Sequence, residues 1–190
     1  HADAIDRLDL AAVGGVDDFT LDRTAGQFDH MDSYLYLHEV RGGAAITGKS
    51  INLSAHGVIT PRALAFDESG DLWVAGSGSR AVAQVAPDGA LRSVRAIPPG
   101  VIDLAVDRGR LDLASPLADA VYGLDAQGAL TSLTLPGTPD PVRLGEYLVF
   151  TDMLSPRNVS DGARSRLTCE ACHFEGDGDF TPVKPGRHMW

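Results

Sequence analysis

An internal repeat with a period of roughly 40 residues constrains the fold of this 190-residue chain more than any other feature. Residues 61–91 match residues 101–130 almost without gaps, and several positions keep one constant offset. The pairs that share this offset are Gly70 and Gly109, Leu72 and Leu111, Val82 and Val121, Gly89 and Gly128, and Leu91 and Leu130. A repeat of this length, punctuated by turn residues, is typical of β-propeller blades, each made of four short strands.

Alternating or near-alternating apolar residues predict four strands in the clearer repeat. These span about residues 62–66, 71–76, 80–85 and 90–95. The turns between them include Gly70 and Gly89, which supply the positive φ that tight hairpins require. Trp73 lies in the second strand, where we expect it to pack in the core. No segment carries an apolar stripe of helical period long enough to predict a helix, and an ordinary antiparallel sandwich stays the alternative fold.

Two fainter copies of the leucine–aromatic strand extend the repeat, at residues 34–37 and 147–150. Across the four copies, nearly equal intervals separate the leucines Leu35, Leu72, Leu111 and Leu148. We therefore predict an all-β fold in which residues 1–154 form a partial propeller of about four blades, followed by a separate segment over residues 155–190. A propeller closes its ring to remove exposed sheet edges, so we expect further sequence or a partner chain to complete it.

The charge balance limits the partners of the chain. Lys and Arg together number 16 and Asp and Glu 26, which gives a formal net charge of −10. Nucleic acids and anionic membranes are bound by positively charged surfaces, so neither is expected as a partner. No apolar run approaches the roughly 18 residues of a membrane helix, and no membrane span is expected.

The C-terminal segment carries a CxxCH motif, Cys169-Glu170-Ala171-Cys172-His173, which contains both cysteines of the chain. Two thiols at this spacing can each add to one vinyl group of a haem, and the histidine that follows can bind the iron as the proximal ligand. The motif therefore predicts covalently bound haem c. Haem of this type is normally attached outside the cytoplasm, so we expect a periplasmic or otherwise extracytoplasmic protein.

Three other interpretations of the two cysteines stay open. A zinc site would take Cys169, Cys172, His173 and His188, although two adjacent residues suit one tetrahedral centre poorly. A thioredoxin-like redox pair would need a βαβ setting, which the strand pattern does not predict. A structural disulfide would leave the histidine of the motif without a role.

The residues around the motif resemble bacterial YVTN-type propeller proteins fused to a c-type haem domain of the di-haem cytochrome c peroxidase and MauG group. In that group a blade ends in a Gly-x-x-Leu-Phe-like strand, matched here from Gly145 to Phe150. A Ser-Cys-x-x-Cys-His-x-x-Gly pattern follows, met here with Thr168 in place of the serine and Gly176 at its end. The resemblance implies haem-dependent electron transfer and, in the complete family pattern, a peroxidase-like oxidoreductase.

The chain departs from the family in ways that leave enzymatic activity open. The family has two haem motifs and this sequence has one. Residues 155–190 are too few to cover a haem unaided, so we expect the propeller, further sequence or a partner chain to complete the pocket. The sequence begins at His1, from which we expect that any export signal has already been removed.

The sixth iron ligand has several candidates. His188 is the predicted distal ligand, and Met153 and Met189 are the alternatives, since histidine and methionine ligands set different haem potentials. An exposed tail histidine without a ligand role is the competing interpretation of His188. The remaining histidines near the predicted strands are expected to be surface or hydrogen-bonded residues without a ligand role: His30, His38 and His56.

Charged residues around the motif suggest two further contacts. Arg164 and Arg166, together with Arg157, are predicted to pair with the anionic haem propionates. Residues 175–179 hold acidic side chains between glycines and suggest calcium only weakly, because they do not match the EF-hand pattern. A solvated acidic turn is the simpler interpretation of that segment.

Two functions from different classes follow from these observations. The first is an extracytoplasmic haem c protein that exchanges electrons with a redox protein or a small donor or acceptor. The second is a propeller that binds or scaffolds other molecules, with a C-terminal segment that is structural or vestigial.

Overall fold

The computed structural model describes residues 32–46, 48–136, 141–154 and 168–171. In these parts the chain forms 12 strands and one α-helix. The strands are β1 (Tyr34–Tyr36), β2 (Glu39–Arg41), β3 (Ala44–Ile46), β4 (Ser50–Asn52), β5 (Pro61–Phe66), β6 (Leu72–Gly76), β7 (Ala81–Val85), β8 (Leu91–Ala96), β9 (Asp103–Asp107), β10 (Arg110–Ser115), β11 (Ala120–Leu124) and β12 (Leu130–Thr134). The helix α1 spans Pro141–Phe150, and short 3-10 turns cover Ser54–His56, Pro116–Ala118, Asp152–Leu154 and Cys169–Ala171.

Residues 61–134 form two four-stranded antiparallel sheets with the same topology. Their strand orders are β5-β6-β7-β8 and β9-β10-β11-β12, so in each sheet consecutive strands pair. Leu72 pairs with Val85, and its counterpart in the repeat, Leu111, pairs with Leu124. The repeat in the sequence is therefore a repeat of strand pairing, and the predicted four-stranded blades are confirmed. The strands of the first sheet begin and end within one residue of their predicted bounds.

The strands β1 to β4 form one long hairpin rather than another four-stranded sheet. β1 pairs with β4 and β2 with β3, both antiparallel, so the two pairs follow each other along the hairpin. Its tip is Gly42-Gly43, where both glycines have the positive φ (56° and 80°) of a tight turn. The strand predicted over residues 34–37 is confirmed as β1.

The middle of the first sheet is covered on both faces, so every residue of β6 is buried, whereas Leu64 and Phe66 of the edge strand β5 are exposed. Side chains alternate along a strand, so neighbouring residues belong to different clusters. Trp73 and Ala75 pack toward the second sheet, whereas Leu72 and Val74 pack toward the hairpin and Leu53. The sheet is thus the middle layer of three.

Trp73 is buried as predicted, with 2% of its surface exposed. Its indole N–H donates to Oδ2 of Asp67 over 3.0 Å, and the guanidinium of Arg95 lies 4.9 Å from the ring centroid. The same Arg95 donates to the backbone carbonyl of Asp125, in the second sheet, over 3.3 Å. Arg95 therefore joins the two sheets through a cation–π contact and a hydrogen bond.

The two sheets meet along their first strands, because β5 and β9 contact each other. The first strands of neighbouring propeller blades lie side by side in this way around a common axis. The opposite face of the second sheet has no neighbour among the described residues, and Val121 and Leu133 on it are exposed. The described sheets therefore form part of a ring with an open side.

The prediction of a strand over residues 147–150 is wrong, because these residues form the end of the helix α1. The same correction applies to the strand expected from Gly145 to Phe150 and to the expectation that no helix would form. Pro141 occupies the first helical position, where its missing N–H costs nothing, and Arg143 pairs with Glu146 one turn later. In the described part of the chain no helix is long and apolar enough to span a bilayer.

The predicted division at residue 154 stays a prediction. Residues 141–154 are described, with Tyr147 buried in a cluster with Leu117 of the second sheet's 3-10 turn. Residues 155–167 lie outside the described residues.

Asp67 closes the turn between β5 and β6 and binds Trp73 from the same carboxylate. Burial by itself raises the pKa of this carboxyl, but hydrogen bonds from Ser69, Trp73 and the backbone N–H of Asp71 outweigh it and hold the pKa below its ordinary value. Because the folded pKa is the lower one, the charged form stabilises the fold above the unfolded pKa of about 3.9. That stabilisation is lost as the pH falls through the folded pKa.

We predict that Asp67→Asn lowers the free energy of unfolding by about 1 kcal/mol at pH 7, since a charged acceptor of several hydrogen bonds is lost. The deficit relative to the unmodified chain should be smaller at pH 3, because the stabilisation by charged Asp67 begins to be lost below the unfolded pKa of about 3.9. Urea unfolding at both pH values measures this. Asp107→Asn is the matched control, because Asp107 ends β9 at the equivalent place and pairs only with its exposed neighbour Arg108 in the described contacts. Equal deficits at both pH values would contradict the prediction.

Candidate functional site

One of the predicted haem-binding residues, Cys169, lies in the described part of the chain. Its thiol is free and exposed. The other predicted site residues lie outside the described residues, and their roles stay predictions: Cys172, His173, His188, Arg157, Arg164, Arg166 and Met189. The weak calcium candidate at residues 175–179 also lies outside them.

The two neighbours of Cys169 are buried although the cysteine itself is exposed. Thr168 has 1% of its surface exposed and Glu170 has 4%. Cys169 and Glu170 belong to the 3-10 turn Cys169–Ala171, whose residues occupy the first three positions of the CxxCH motif. The turn is therefore held against the propeller by the residues that flank the cysteine, and the thiol stays accessible to solvent.

Glu170 makes an ion pair with Arg62 of β5, 108 residues earlier in the chain. A buried carboxylate is costly unless a cation and hydrogen bonds compensate it. Arg62 is the compensating cation and stays partly exposed, with 31% of its side chain accessible. The pair therefore joins Glu170, one of the two residues between the cysteines, to the first strand of the first sheet.

Thr168 packs into a space that only glycine leaves open. Its hydroxyl lies 3.4 Å from the hydroxyl of Thr60, and its methyl faces Gly78. A Cβ built on Gly78 would lie 2.5 Å from the methyl carbon of Thr168 and 2.9 Å from the hydroxyl of Thr60. The carbonyl of Gly78 accepts a hydrogen bond from the N–H of Asp152 over 2.9 Å. We call Thr60, Arg62 and Gly78 the turn seat.

The helix α1 lies beside the turn and completes the surroundings of the site. Tyr147 is 1% exposed and packs with Leu117 and Met153. Arg143 joins Asp119 over 3.3 Å and Glu146 over 2.9 Å. Met153, an alternative for the sixth iron ligand, is thus part of an apolar cluster next to the turn, and its ligand role stays untested.

A cavity of about 230 Å³ lies between the end of the second sheet, α1 and the turn. Its walls combine apolar side chains with two ion pairs, Arg62–Glu170 and Arg143–Glu146. The residues that line it are Arg62, Ser77, Gly100, Ile102, Pro116, Leu117, Arg143, Glu146, Phe150 and Glu170. Cofactor pockets are commonly about 300–1,000 Å³, so the cavity suits part of a large flat group rather than the whole of it.

The described residues of the site are compatible with a covalently attached haem. An exposed thiol is what thioether formation requires, because the sulfur must contact the vinyl group. The apolar residues Ile102, Leu117 and Phe150 beside the turn supply the kind of surface against which a porphyrin packs. Among the described residues no group of three or more His, Cys, Asp or Glu side chains is arranged to hold a metal ion.

Sequence reasoning missed Arg62, Gly78 and α1 as parts of the site. A signal for α1 was present, because Pro141 starts the helix and Arg143 and Glu146 are spaced for an ion pair on one face. No local pattern marks Arg62 or Gly78, since their partners lie far along the chain. The predicted surface positions of His38 and His56 are confirmed by their exposure, and His30 lies outside the described residues.

Comparisons with known proteins do not assign this chain to a family. No family model matches it, and no curated protein does. Among solved structures, a selenomethionine-substituted virginiamycin B lyase from Staphylococcus aureus is 17% identical with a TM-score of 0.37, over 42% of this chain and 28% of that one. A catalytically inactive form of the S. aureus enzyme with quinupristin is 13% identical with a TM-score of 0.39, over 56% of this chain and 32% of that one.

A streptogramin B lyase structure is 16% identical with a TM-score of 0.39, again over 56% of this chain and 32% of that one. This chain thus spans about a third or less of the length of each structure that it matches. The blades are assigned from the order and register of this chain's own strands.

We predict that Gly78→Ala destabilises the chain by about 1–3 kcal/mol, the usual cost of forcing an extra carbon into packed surroundings. Gly145→Ala is the matched control, because a Cβ at this exposed position of α1 meets nothing within 4 Å. It should stabilise the chain by about 0.5–1 kcal/mol, since alanine favours the helix. Urea unfolding of both variants tests this. A Gly78→Ala variant as stable as the unmodified chain would show that the turn does not pack at Gly78.

Proposed function

We propose that this chain belongs to an extracytoplasmic haem c protein that transfers electrons. The observation that carries the proposal is the CxxCH motif, whose first thiol is free and exposed on a turn that the propeller holds in place. Haem bound there would supply reversible one-electron transfer at its iron. An extracytoplasmic location is part of the proposal, because covalent haem is normally attached there.

In this proposal the chain's residues attach, orient and shield the group. The thiols of Cys169 and Cys172 would add across two vinyl groups, each sulfur bonding to one vinyl carbon and its proton going to the other, so no oxidant would be consumed. His173 would hold the iron through its imidazole. The turn seat fixes the beginning of the motif, and the apolar cavity wall beside it excludes water from one edge of the site.

Electron transfer is the activity proposed, and peroxidase-like turnover would require the second haem motif that the resembled family has. The resembled family uses two haem motifs and this sequence holds one. The electron partner would be a redox protein or a small donor or acceptor that reaches the exposed side of the turn. Arg164 and Arg166 keep their proposed role of pairing with the haem propionates, and His188 its role as distal ligand.

A second candidate is a propeller module that binds or scaffolds another molecule, with a structural C-terminal segment. The open face of the second sheet favours it, because Leu133 is 73% exposed and Val121 beside it is 50% exposed. Exposed apolar surface of this kind marks interaction sites or the missing neighbour of an incomplete ring. The second candidate requires no haem, and a haem assay therefore separates the two.

We predict that the chain, exported from a host that attaches haem c, gains the mass of one haem and changes its visible spectrum when dithionite reduces it. Cys169→Ser with Cys172→Ser should abolish the covalent mass increase, because no thioether can form. His188→Ala is the control, since it should keep the mass increase and alter only the spectrum of the iron. Intact mass spectrometry and visible spectroscopy measure both. A colourless unmodified chain with two reactive thiols would support the scaffold candidate instead.

A further inference from the structure

Thr60 adopts a backbone conformation that a β-branched residue rarely takes. Its φ is 51°, in the left-handed region. The repeat aligns Thr60 with Gly100, and Gly100 has a φ of 70°. The second repeat therefore has the glycine that this conformation favours, whereas the first repeat has a threonine.

The backbone of Thr60 is held by hydrogen bonds that a glycine would keep. Its N–H donates to the hydroxyl of Ser33 over 3.2 Å, and its carbonyl accepts from the N–H and the hydroxyl of Ser77, each over 3.0 Å. What the threonine adds is its side chain, whose hydroxyl meets that of Thr168 over 3.4 Å. Strained residues persist where the surrounding structure holds them, and they cluster at functional sites. Here the side chain of the strained residue contacts Thr168, the residue before the CxxCH motif.

The other two residues of the turn seat also depart from the repeat. Arg62 aligns with Ile102, and Gly78 aligns with Leu117. In the second repeat Leu117 packs against Tyr147 of α1, so that position holds the helix instead of the turn. Thr60, Arg62 and Gly78, which all differ from their counterparts in the second repeat, thus contact one feature. That feature is the turn that begins at Cys169, together with Thr168 before it.

We propose that the first blade is specialised to position the CxxCH segment, with Thr60 and Arg62 as positioning residues for the haem site. This inference rests on the proposed haem function. The seat holds Thr168 and Glu170 on either side of the first attachment cysteine, so it fixes where one thioether forms relative to the propeller. It also places a compensated carboxylate next to that thioether, since Arg62 neutralises Glu170.

The seat itself can be tested without haem by trapping the turn. In the full chain with Cys169→Ser and Cys172→Ser, the pair Thr60→Cys and Thr168→Cys should form a disulfide in air, because the two hydroxyls that the sulfurs replace lie 3.4 Å apart. Adding Arg62→Ala should slow disulfide formation about tenfold, since the turn then leaves the seat more often. Arg110→Ala is the matched control, because it removes an exposed arginine–aspartate pair on β10 and should not change the rate.

The function of the seat is tested on the haem-loaded chain with its own cysteines. Thr60→Gly relieves the left-handed strain and should raise the melting temperature of the propeller, while it lowers haem occupancy or shifts the reduction potential. Arg62→Ala should lower the potential, because removal of this cation makes the site more negative, which favours the more positive, oxidised iron. Glu170→Gln in the Arg62→Ala background should reverse most of that shift. Arg110→Ala should leave occupancy and potential unchanged.

The outcomes separate this inference from the haem proposal. Haem uptake with unchanged occupancy and potential in Thr60→Gly and Arg62→Ala would overturn the positioning role and leave the proposed function standing. Disulfide trapping without haem uptake by the unmodified chain would overturn the proposed function and, with it, the role of the seat in positioning haem. Absence of the disulfide, both with and without Arg62, would show that the turn does not occupy the seat.

Discussion

The structure depends on the burial of the first four-stranded sheet on both faces. Because side chains alternate along β6, one strand supplies Trp73 to the core with the second sheet and Val74 to the core with the hairpin. Removing either neighbour would expose an apolar face. The turn seat lies at the edge of this core, since Arg62 belongs to β5 and Gly78 to the turn between β6 and β7.

The fold of the repeats was predictable because its signals are local. Strand alternation and glycine turns lie within one repeat and recur at a constant offset in the next, and the predicted strands of the first sheet match the observed ones closely. The prediction of a strand over residues 147–150 was wrong because it, too, relied on a local pattern. Its leucine–aromatic pattern resembles a strand when read alone, but Pro141 and the Arg143–Glu146 pair favour a helix over a longer window.

The sequence predicts a type of chemistry for the candidate site but not the place where the motif lies on the propeller. The CxxCH motif predicts covalent haem because thioether attachment uses this spacing, and this stays a prediction. Of the motif's two cysteines, Cys169 lies among the described residues, where it is free and exposed. The place where the motif docks depends on the contact between Arg62 and Glu170, which lie in distant parts of the sequence. An ion pair between residues 108 positions apart produces no local or periodic pattern in the sequence, so it becomes visible only in the folded chain.

Comparison of the two repeats adds information that neither gives alone. Where both keep the same residue, as at the turn glycines Gly70 and Gly109, the backbone conformation explains the choice. Where they differ although the conformation is the same, as at Thr60 and Gly100, the backbone cannot be the reason, and the side chain must have a partner. In this chain that partner is Thr168, the residue immediately before the first cysteine of the CxxCH motif. An internally repeated fold thus serves as its own control, and the broken symmetry identifies the blade to which the added segment is attached.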